Sequence, residues 1–203
     1  IGSSMKSVGE VMGLGRSFEE ALQKAARMLN LGYQGVTDKI AIRDLKAELV
    51  KPTPNRLWAL SESLRQGMKV AELNRLTGID PWFLERIKSI VDEEAKINHF
   101  SQLNRPEILK LKQLGLADKR IGQLVKKTEL DVRSLRKKLG IKPSIFQIDT
   151  LAGEVPAVTN YLYLTYFGRH DDVKPFKRKG VIVLGSGPYC IGSSVEFDWV
   201  CVN

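Results

Sequence analysis

The sequence predicts a mainly α-helical protein followed, near its carboxyl end, by the first strand and turn of an α/β domain. Apolar residues recur at helical spacing from Phe18 to Leu139, and capping residues and glycines separate the apolar stretches. An apolar run at 180–184 then leads into a glycine-rich turn. Because a first strand needs parallel neighbours to cover its side chains, the chain is expected to be a piece of a larger protein.

The first predicted helix begins after Ser17. Ser17-Phe-Glu-Glu20 has the form of a capping box, in which the two polar side chains accept hydrogen bonds from free backbone N–H groups of the first turn. Asn30 to Gly32 ends this helix. Five apolar residues share one helical face that is expected to be buried; they are Phe18, Ala21, Leu22, Ala25 and Leu29.

Helix follows helix from Thr53 onward, after a weakly patterned stretch with one short helix expected at 44–49. Thr53 is expected to cap a helix that has Pro54 at its first position, and Asp80-Pro81 to begin a longer one. The expected inward residues are Leu57, Leu60 and Leu64 in the first, Val70, Leu73 and Leu76 in a helix at 70–77, and Phe83, Leu84, Ile87, Ile90 and Val91 in the longer one.

A weak internal repeat predicts two similar helix–turn–helix pairs. Each copy holds a glycine, a short helix, a capping residue and a longer helix, so a compact helical domain is expected at about residues 33–145. The second copy is predicted to contain helices at 106–114, 118–126 and 129–139. Gly67, Leu73, Leu76, Asp80, Leu84 and Ile87 correspond to Gly115, Ile121, Leu124, Thr128, Val132 and Leu135, each 48 residues further on.

The pattern changes after Pro143. Residues 158–167 are rich in β-branched and aromatic side chains, which favours either a strand or an extended arm. Residues 168–179 are polar, basic and proline-containing, as is typical of a linker. The predicted α/β start follows at residue 180.

Composition narrows the classes of function. The two cysteines, Cys190 and Cys201, form no disulfide framework and favour a cytoplasmic setting. No apolar run approaches the roughly 20 residues of a membrane span, so no membrane partner is expected. No Cys/His cluster has metal-ligand spacing, and His99 and His170 are expected to be solvated. No metal site and no catalytic residue are therefore predicted.

The net charge of +9 is concentrated in one region. Residues 103–142 hold 12 Lys and Arg against 4 Asp and Glu. An alternative interpretation is therefore a basic helix–turn–helix module that binds nucleic acid, with a recognition helix at 128–139 presenting Arg133, Arg136, Lys137 and Lys138. The acidic residues in the first turn of that helix argue against it, and a solvated helix face explains the same charges.

The terminal turn resembles a dinucleotide-binding fingerprint without matching it. Gly185 and Gly187 have the fingerprint spacing, but Gly192 comes two places late and Pro188 stands where the helix should begin. A structural turn is as consistent with the residues as a phosphate cradle. Ser193 and Ser194 have no nearby base, so a nucleophile is not indicated.

Several segments together resemble the large, synthetase component of carbamoyl-phosphate synthase, in the wording of its eukaryotic-type members. They follow the order and approximate spacing of that family. These segments are Met5–Met12 with Gly15–Glu20, Ile79–Leu84, Gln147–Ala152, Asn160–Tyr166, Val183–Pro188 and Ile191–Trp199.

The resemblance implies a map of the chain. Residues 1–32 would be the tail of a first ATP-grasp half, which forms carboxyphosphate and carbamate. Residues 33–175 would be an all-helical oligomerisation domain with a connecting arm. Residues 176–203 would begin the second half, at a pre-ATP-grasp domain that leads to carbamoyl phosphate synthesis. The resemblance also implies that Ser194 and Glu196 line an internal tunnel that carries carbamate.

The resemblance further implies the partners and cofactors of the parent enzyme, in pyrimidine or arginine biosynthesis. ATP with Mg²⁺, and K⁺ as a further candidate, would bind outside this chain, which is expected to hold no cofactor and to be inactive alone. Its partners would be the rest of the synthetase chain, a glutamine amidotransferase subunit or domain, and other copies of itself, with no nucleic acid. The parent would be cytoplasmic, with mitochondria as the alternative.

Overall fold

The structure is a computed structural model that describes residues 11–156, 159, 161–175, 177 and 179–181. Within them the chain is mainly helical. The helices are α1 Phe18–Met28, α2 Leu45–Val50, α3 Arg56–Arg65, α4 Val70–Thr77, α5 Pro81–Lys96, α6 Arg105–Gln113, α7 Asp118–Val125 and α8 Glu129–Lys138. A short 3₁₀ helix, Phe100–Gln102, precedes α6, and the strands β1 Ser144–Gln147 and β2 Leu162–Thr165 follow α8.

The predicted repeat is confirmed, and it comprises three helices in each copy. The first repeat is α3–α5 and the second repeat is α6–α8. α3 and α6 both end at a glycine with positive φ, Gly67 at 88° and Gly115 at 84°. The same hydrogen bonds close both ends: Met68 N–H donates to Ser63 C=O at 2.9 Å, and Leu116 N–H donates to Leu111 C=O at 3.1 Å. The backbone at these turns therefore repeats bond for bond.

Each repeat builds its own hydrophobic core. Leu73 and Leu84 are fully buried in the first, and Ile121 and Val132, 48 residues on, are fully buried in the second. α2 completes the first core, while α5 and α1 contribute to the second. Side-chain burial of this kind is the main stabilising term of a helical domain.

Capping predictions are confirmed at four helices and wrong at one. The side chains of Ser17, Asp44, Asp80 and Thr128 accept backbone hydrogen bonds at the starts of α1, α2, α5 and α8. Thr53 does not cap α3, which begins two residues later, after Asn55. Its hydroxyl pairs with the Glu48 side chain instead. A long-range polar partner has here replaced a local one.

Two burial predictions need correction. Phe83 is 43% exposed and contacts Phe18 and Trp82 in an aromatic cluster at the surface. The deepest face of α1 is polar rather than apolar. Its buried residues are Glu19, Glu20, Gln23 and Ala26, whereas Phe18 and Leu22 are only partly buried.

The two strands form an antiparallel arm in the register Ser144 opposite Thr165. β2 lies within the stretch predicted to be strand or arm, and β1 was not predicted. The outer edge of β1 is closed by carboxylates, because Asp171 accepts the Ile145 N–H at 2.8 Å and Asp172 accepts the Gln147 N–H at 2.9 Å. The edge is thereby protected from pairing with another chain.

Among the residues that the structure describes, no helix is long and apolar enough to span a membrane.

Candidate functional site: a polar junction at the second repeat

The residues predicted for the terminal turn and the tunnel lie outside the described residues; they are Gly185, Gly187, Gly192, Ser194 and Glu196. His99 and His170 are exposed, as predicted. The described residues instead bring buried polar side chains together where α1, the second repeat and the arm meet. We call this set of contacts the polar junction; its central residues are Glu20, Lys24, Lys112, Asp118, Arg136, Thr165 and Tyr166.

Glu20 is the centre of the first half of the polar junction. It is 1% exposed, and its carboxylate accepts hydrogen bonds from the Arg16 N–H at 2.8 Å, the Thr165 hydroxyl at 2.9 Å and Lys24 Nζ at 2.8 Å. Lys24 Nζ also donates to the Leu164 carbonyl at 2.6 Å. A buried carboxylate is stable only when paired and hydrogen-bonded in this way. Helix α1 and strand β2, about 140 residues apart in sequence, are therefore held together by charge-assisted bonds.

Gln23 lies one turn further along the same buried face. Its Oε1 accepts the Val36 N–H at 2.8 Å, which ties α1 to the segment that precedes α2. Gly35 has no side chain because a Cβ at that position would collide with the Gln23 amide. The close approach of backbone and buried amide thus explains the glycine.

Asp118 is the centre of the second half. Its carboxylate accepts from Lys112 Nζ at 2.8 Å and from Arg136 Nη2 at 2.8 Å, and the three side chains are between 7% and 11% exposed. Burial alone would raise the pKa of Asp118, but hydrogen bonds from Arg136 and Lys112 and their charges outweigh it, and the pKa lies below its ordinary value. Burial lowers the pKa of Lys112 despite this partner.

Tyr166, directly after β2, packs against both cations of this cluster. Lys112 Nζ lies 5.1 Å and Arg136 Cζ 5.7 Å from the centre of its ring, within the range of cation–π attraction. Its carbonyl accepts from Gln113 Nε2 at 3.2 Å. Burial raises the pKa of the Tyr166 hydroxyl. The arm is thus bound to the second repeat through its aromatic ring and its backbone.

A third buried ion cluster joins the segment before α2 to both repeats. Arg120 of α7 pairs with Glu94 of α5 at 2.6 Å and with Asp38 at 3.1 Å, and donates to the Thr37 carbonyl at 3.0 Å. Burial lowers the pKa of Arg120, but hydrogen bonding and the charges of Glu94 and Asp38 raise it above its ordinary value. The two repeats are locked to each other at this point.

The chemistry of these clusters is positioning. Their cations and carboxylates are engaged with one another, and the described residues contain no group of three or more His, Cys, Asp or Glu side chains that could hold a metal ion. Arg136, one of the residues weighed for nucleic-acid contact, is held by Asp118 and by the Ile141 carbonyl. No contact within the described residues favours the nucleic-acid alternative.

Sequence reasoning missed Glu20, Asp118 and Thr165. One signal was available for Asp118. At the positions of Lys112 and Asp118 the first repeat has Leu64 and Val70, so a charged pair replaces an apolar pair at core positions of the same fold. Glu20 gave no such signal, because a charged residue in the first turn of a helix is usually a solvated one.

The fold and the polar junction define a helical interaction domain of two repeats that anchors a strand arm. The family model described as the carbamoyl-phosphate synthetase large chain, oligomerisation domain matches residues 10–140. A second model, the carbamoyl phosphate synthase preATP-grasp domain, matches residues 177–203. The chain belongs to the carbamoyl-phosphate synthetase large-chain family.

Curated relatives agree with this assignment. Carbamoyl-phosphate synthase [ammonia], mitochondrial, from Aquarana catesbeiana is 44% identical over the whole chain, which covers 14% of that protein. The multifunctional protein CAD from Squalus acanthias is 48% identical, with 9% of its length covered. The arginine-specific large chain from Eremothecium gossypii is 50% identical, with 19% covered. The chain thus spans less than a fifth of the length of these relatives.

Proposed function

We propose that the chain is the connecting and oligomerisation segment of a carbamoyl-phosphate synthase large chain. The observation that carries the proposal is the match of residues 10–140 to the oligomerisation-domain family. We assign residues 1–32 to the tail of the first ATP-grasp half, 33–175 to the helical domain with its arm, and 176–203 to the start of the second half. The second match, to residues 177–203, supports the last of these assignments.

The parent protein is proposed to make carbamoyl phosphate from bicarbonate, ammonia and two ATP. The printed names of the relatives support this activity. ATP, Mg²⁺ and K⁺ belong in the proposal to flanking parts, because the described residues do not fit a metal centre, and no chemical step is assigned to them here. We propose the cytoplasm for the parent, although the frog relative is named as mitochondrial.

The parent's other partners belong to the same proposal. Ammonia would come from a glutamine amidotransferase subunit or domain, or be taken up free. The product would serve arginine or pyrimidine synthesis; a relative named as an arginine-specific large chain and relatives named as multifunctional proteins support keeping both pathways.

The polar junction suggests how the connector works. The bonds from Glu20 and Lys24 to Thr165 and Leu164 hold the segment leading into the helical domain beside the segment leading out of it. Two flanking halves attached to these segments would keep a constant relation to each other. Such a relation matters if a short-lived intermediate has to pass between halves without meeting water. Ser194 and Glu196 remain our candidates for lining that passage.

A segment exchange tests the proposal. In the arginine-specific large chain of Eremothecium gossypii, the matching segment is replaced by this chain, and carbamoyl phosphate synthesis is measured. We expect synthesis to be retained. The same exchange carrying Glu20→Gln and Thr165→Val should weaken the coupling between the two ATP-consuming reactions, whereas the surface change Lys137→Gln should not. Loss of all synthesis with the unaltered chain, folded as judged by circular dichroism, would contradict the proposal.

Self-association is the second part of the proposal. Large apolar side chains are exposed within the described residues, and such surfaces favour partners; they include Trp82, Phe83, Leu130, Leu162 and Leu164. Sedimentation of the purified chain over a hundredfold concentration range should show dimers or larger species. A monomer at every concentration would exclude self-association through this domain alone. Bicarbonate-dependent ATP hydrolysis above a buffer control would contradict the expectation that the isolated chain is inactive.

A further inference from the structure

A cleft of about 840 Å³ lies between the start of α6, the connection from α8 to β1, and the segment after β2. We call it the basic cleft and define it by Arg105, Lys142, Ser144, Arg169, His170 and Asp171, which are among its lining residues. Its volume falls within the range of roughly 300–1,000 Å³ that is typical of small-molecule sites.

The charges in the basic cleft are strongly unbalanced. Arg105, Lys142 and Arg169 form no ion pair with any residue that the structure describes. Asp171 is the only carboxylate among the described lining residues, and its Oδ1 is already engaged by the Ile145 N–H at 2.8 Å. Three cations that converge on one concave surface attract a multiply charged anion.

Buried charge behind the wall adds to this attraction. Tyr166 lines the basic cleft, and Lys112 and Arg136 lie against its ring. These two cations share one carboxylate, that of Asp118, so the cluster carries one uncompensated positive charge. Buried charges are screened far less than exposed ones, and their field reaches the cleft.

The wall of the basic cleft is built closely. Ser144 lines it and is only 7% exposed. Gly168 lies against Ser144, and a Cβ on Gly168 would lie 2.6 Å from the Ser144 hydroxyl oxygen. The absence of a side chain at residue 168 lets the segment carrying Arg169 and His170 approach the wall.

Comparison with the first repeat shows that the fold does not require these cations. Arg105 occupies the position of Leu57, and Lys112 occupies the position of Leu64. The backbone of the two repeats is the same at these helices, yet the basic residues occur only where the cleft is formed. Positive charge at this place therefore calls for a binding explanation rather than a folding one.

We propose that the basic cleft binds a small ligand carrying two or more phosphate charges. Arg169 and Arg105 supply planar guanidinium groups suited to phosphate oxygens, and Lys142 supplies a compact charge. The proposal is independent of the parent's catalytic activity, because it concerns a cleft made by α6, the α8–β1 connection and the arm.

Inorganic pyrophosphate is the probe for this site. Titration calorimetry of the 203-residue chain, at ionic strength held constant with sodium chloride, should show saturable binding with one ligand per chain. The double variant Lys142→Gln with Arg169→Gln should weaken the dissociation constant at least tenfold. Arg105→Leu, which introduces the residue of the first repeat, should weaken it about threefold to tenfold. Sulfate should bind at least tenfold more weakly than pyrophosphate.

The matched control is Lys137→Gln with Lys138→Gln, which removes the same charge from exposed positions in the last turn of α8. It should leave the dissociation constant unchanged within twofold. An equal loss in the control and in the cleft variant would overturn the proposal, as would sulfate binding as tightly as pyrophosphate, or no saturation up to 10 mM probe. Unchanged circular dichroism of each variant ensures that a loss of binding is not a loss of folding.

Discussion

At the positions where the first repeat has Leu64 and Val70, the second repeat has Lys112 and Asp118, joined at 2.8 Å and buried. The helices α4 and α7 have the same length and the same 48-residue offset, so the backbone does not demand the difference. The charged pair lies where Tyr166 of the arm packs, whereas Leu64 and Val70 belong to the apolar core of the first repeat. The comparison teaches that two copies of one helical unit diverge where a segment outside the repeat has to dock.

Removing Asp118 should break this comparison most strongly. Asp118→Ala leaves Lys112 and Arg136 buried without their carboxylate, and the free energy of unfolding should fall by about 3–5 kcal/mol. Urea unfolding of the 203-residue chain measures the change. The variant that carries the residues of the first repeat, Lys112→Leu with Asp118→Val and Arg136→Lys, should lose no more than about 1 kcal/mol, because an apolar pair can replace a buried ion pair. Equal losses in the two variants would show that the charges are required for folding.

The two glycines that end α3 and α6 test where α1 crosses the second repeat. Both have positive φ, so an alanine should cost about 1–2 kcal/mol at either position. Gly67 has open space around it, but a Cβ on Gly115 would lie 2.9 Å from Glu20 Cα and from Gln23 Cβ. Gly115→Ala should therefore lower the free energy of unfolding by at least about 1 kcal/mol more than Gly67→Ala. Similar losses in urea unfolding would mean that α1 does not pack against the end of α6.

Acid should destabilise the second repeat through Asp118. The folded-state pKa of Asp118 is lowered, so its carboxylate stabilises the fold above the unfolded-state pKa of about 3.9, and this stability is lost as pH falls through the folded-state pKa. The free energy of unfolding between pH 6 and pH 3 should therefore fall more steeply in the natural chain than in the variant with the residues of the first repeat. Parallel curves would show that Asp118 does not titrate with folding.

The smallest expected effect is at the ends of α4 and α7. Gly78 has φ 71°, and Lys126, 48 residues on, has φ 54°. A lysine in the left-handed region is strained, so Lys126→Gly should raise the free energy of unfolding by about 1 kcal/mol. Lys127→Gly, at a residue without positive φ, is the control and should give no gain. A loss of stability in Lys126→Gly would mean that this lysine makes a contact of greater value than its strain.

Local patterns in the sequence were sufficient for most of the helices. The predicted helix at 70–77 and α4 have the same bounds, because an apolar stripe and a following glycine both act within one or two turns. The burial of Leu73, Leu84 and Ile87 was predicted for the same reason. The strand β1 was missed because four residues carry little pattern, and only pairing with β2 makes them a strand.

Contacts distant in sequence account for the remaining differences. Thr53 found a partner in Glu48 instead of a helix end. The polar face of α1 is buried because Thr165, about 140 residues further on, meets Glu20. Neither contact leaves a period or a motif that a single sequence displays.

The sequence by itself determined the helical class, the two repeats and most of the caps, because these depend on side-chain spacing and on backbone groups near in the chain. Tertiary structure alone decided which charges are buried and what they bind. Glu20, Asp118 and Arg136 look like ordinary surface residues until the arm and α1 are packed against the second repeat. Burial then makes a partner obligatory, since an unpaired charge removed from water costs several kcal/mol, and that requirement assembles the polar junction.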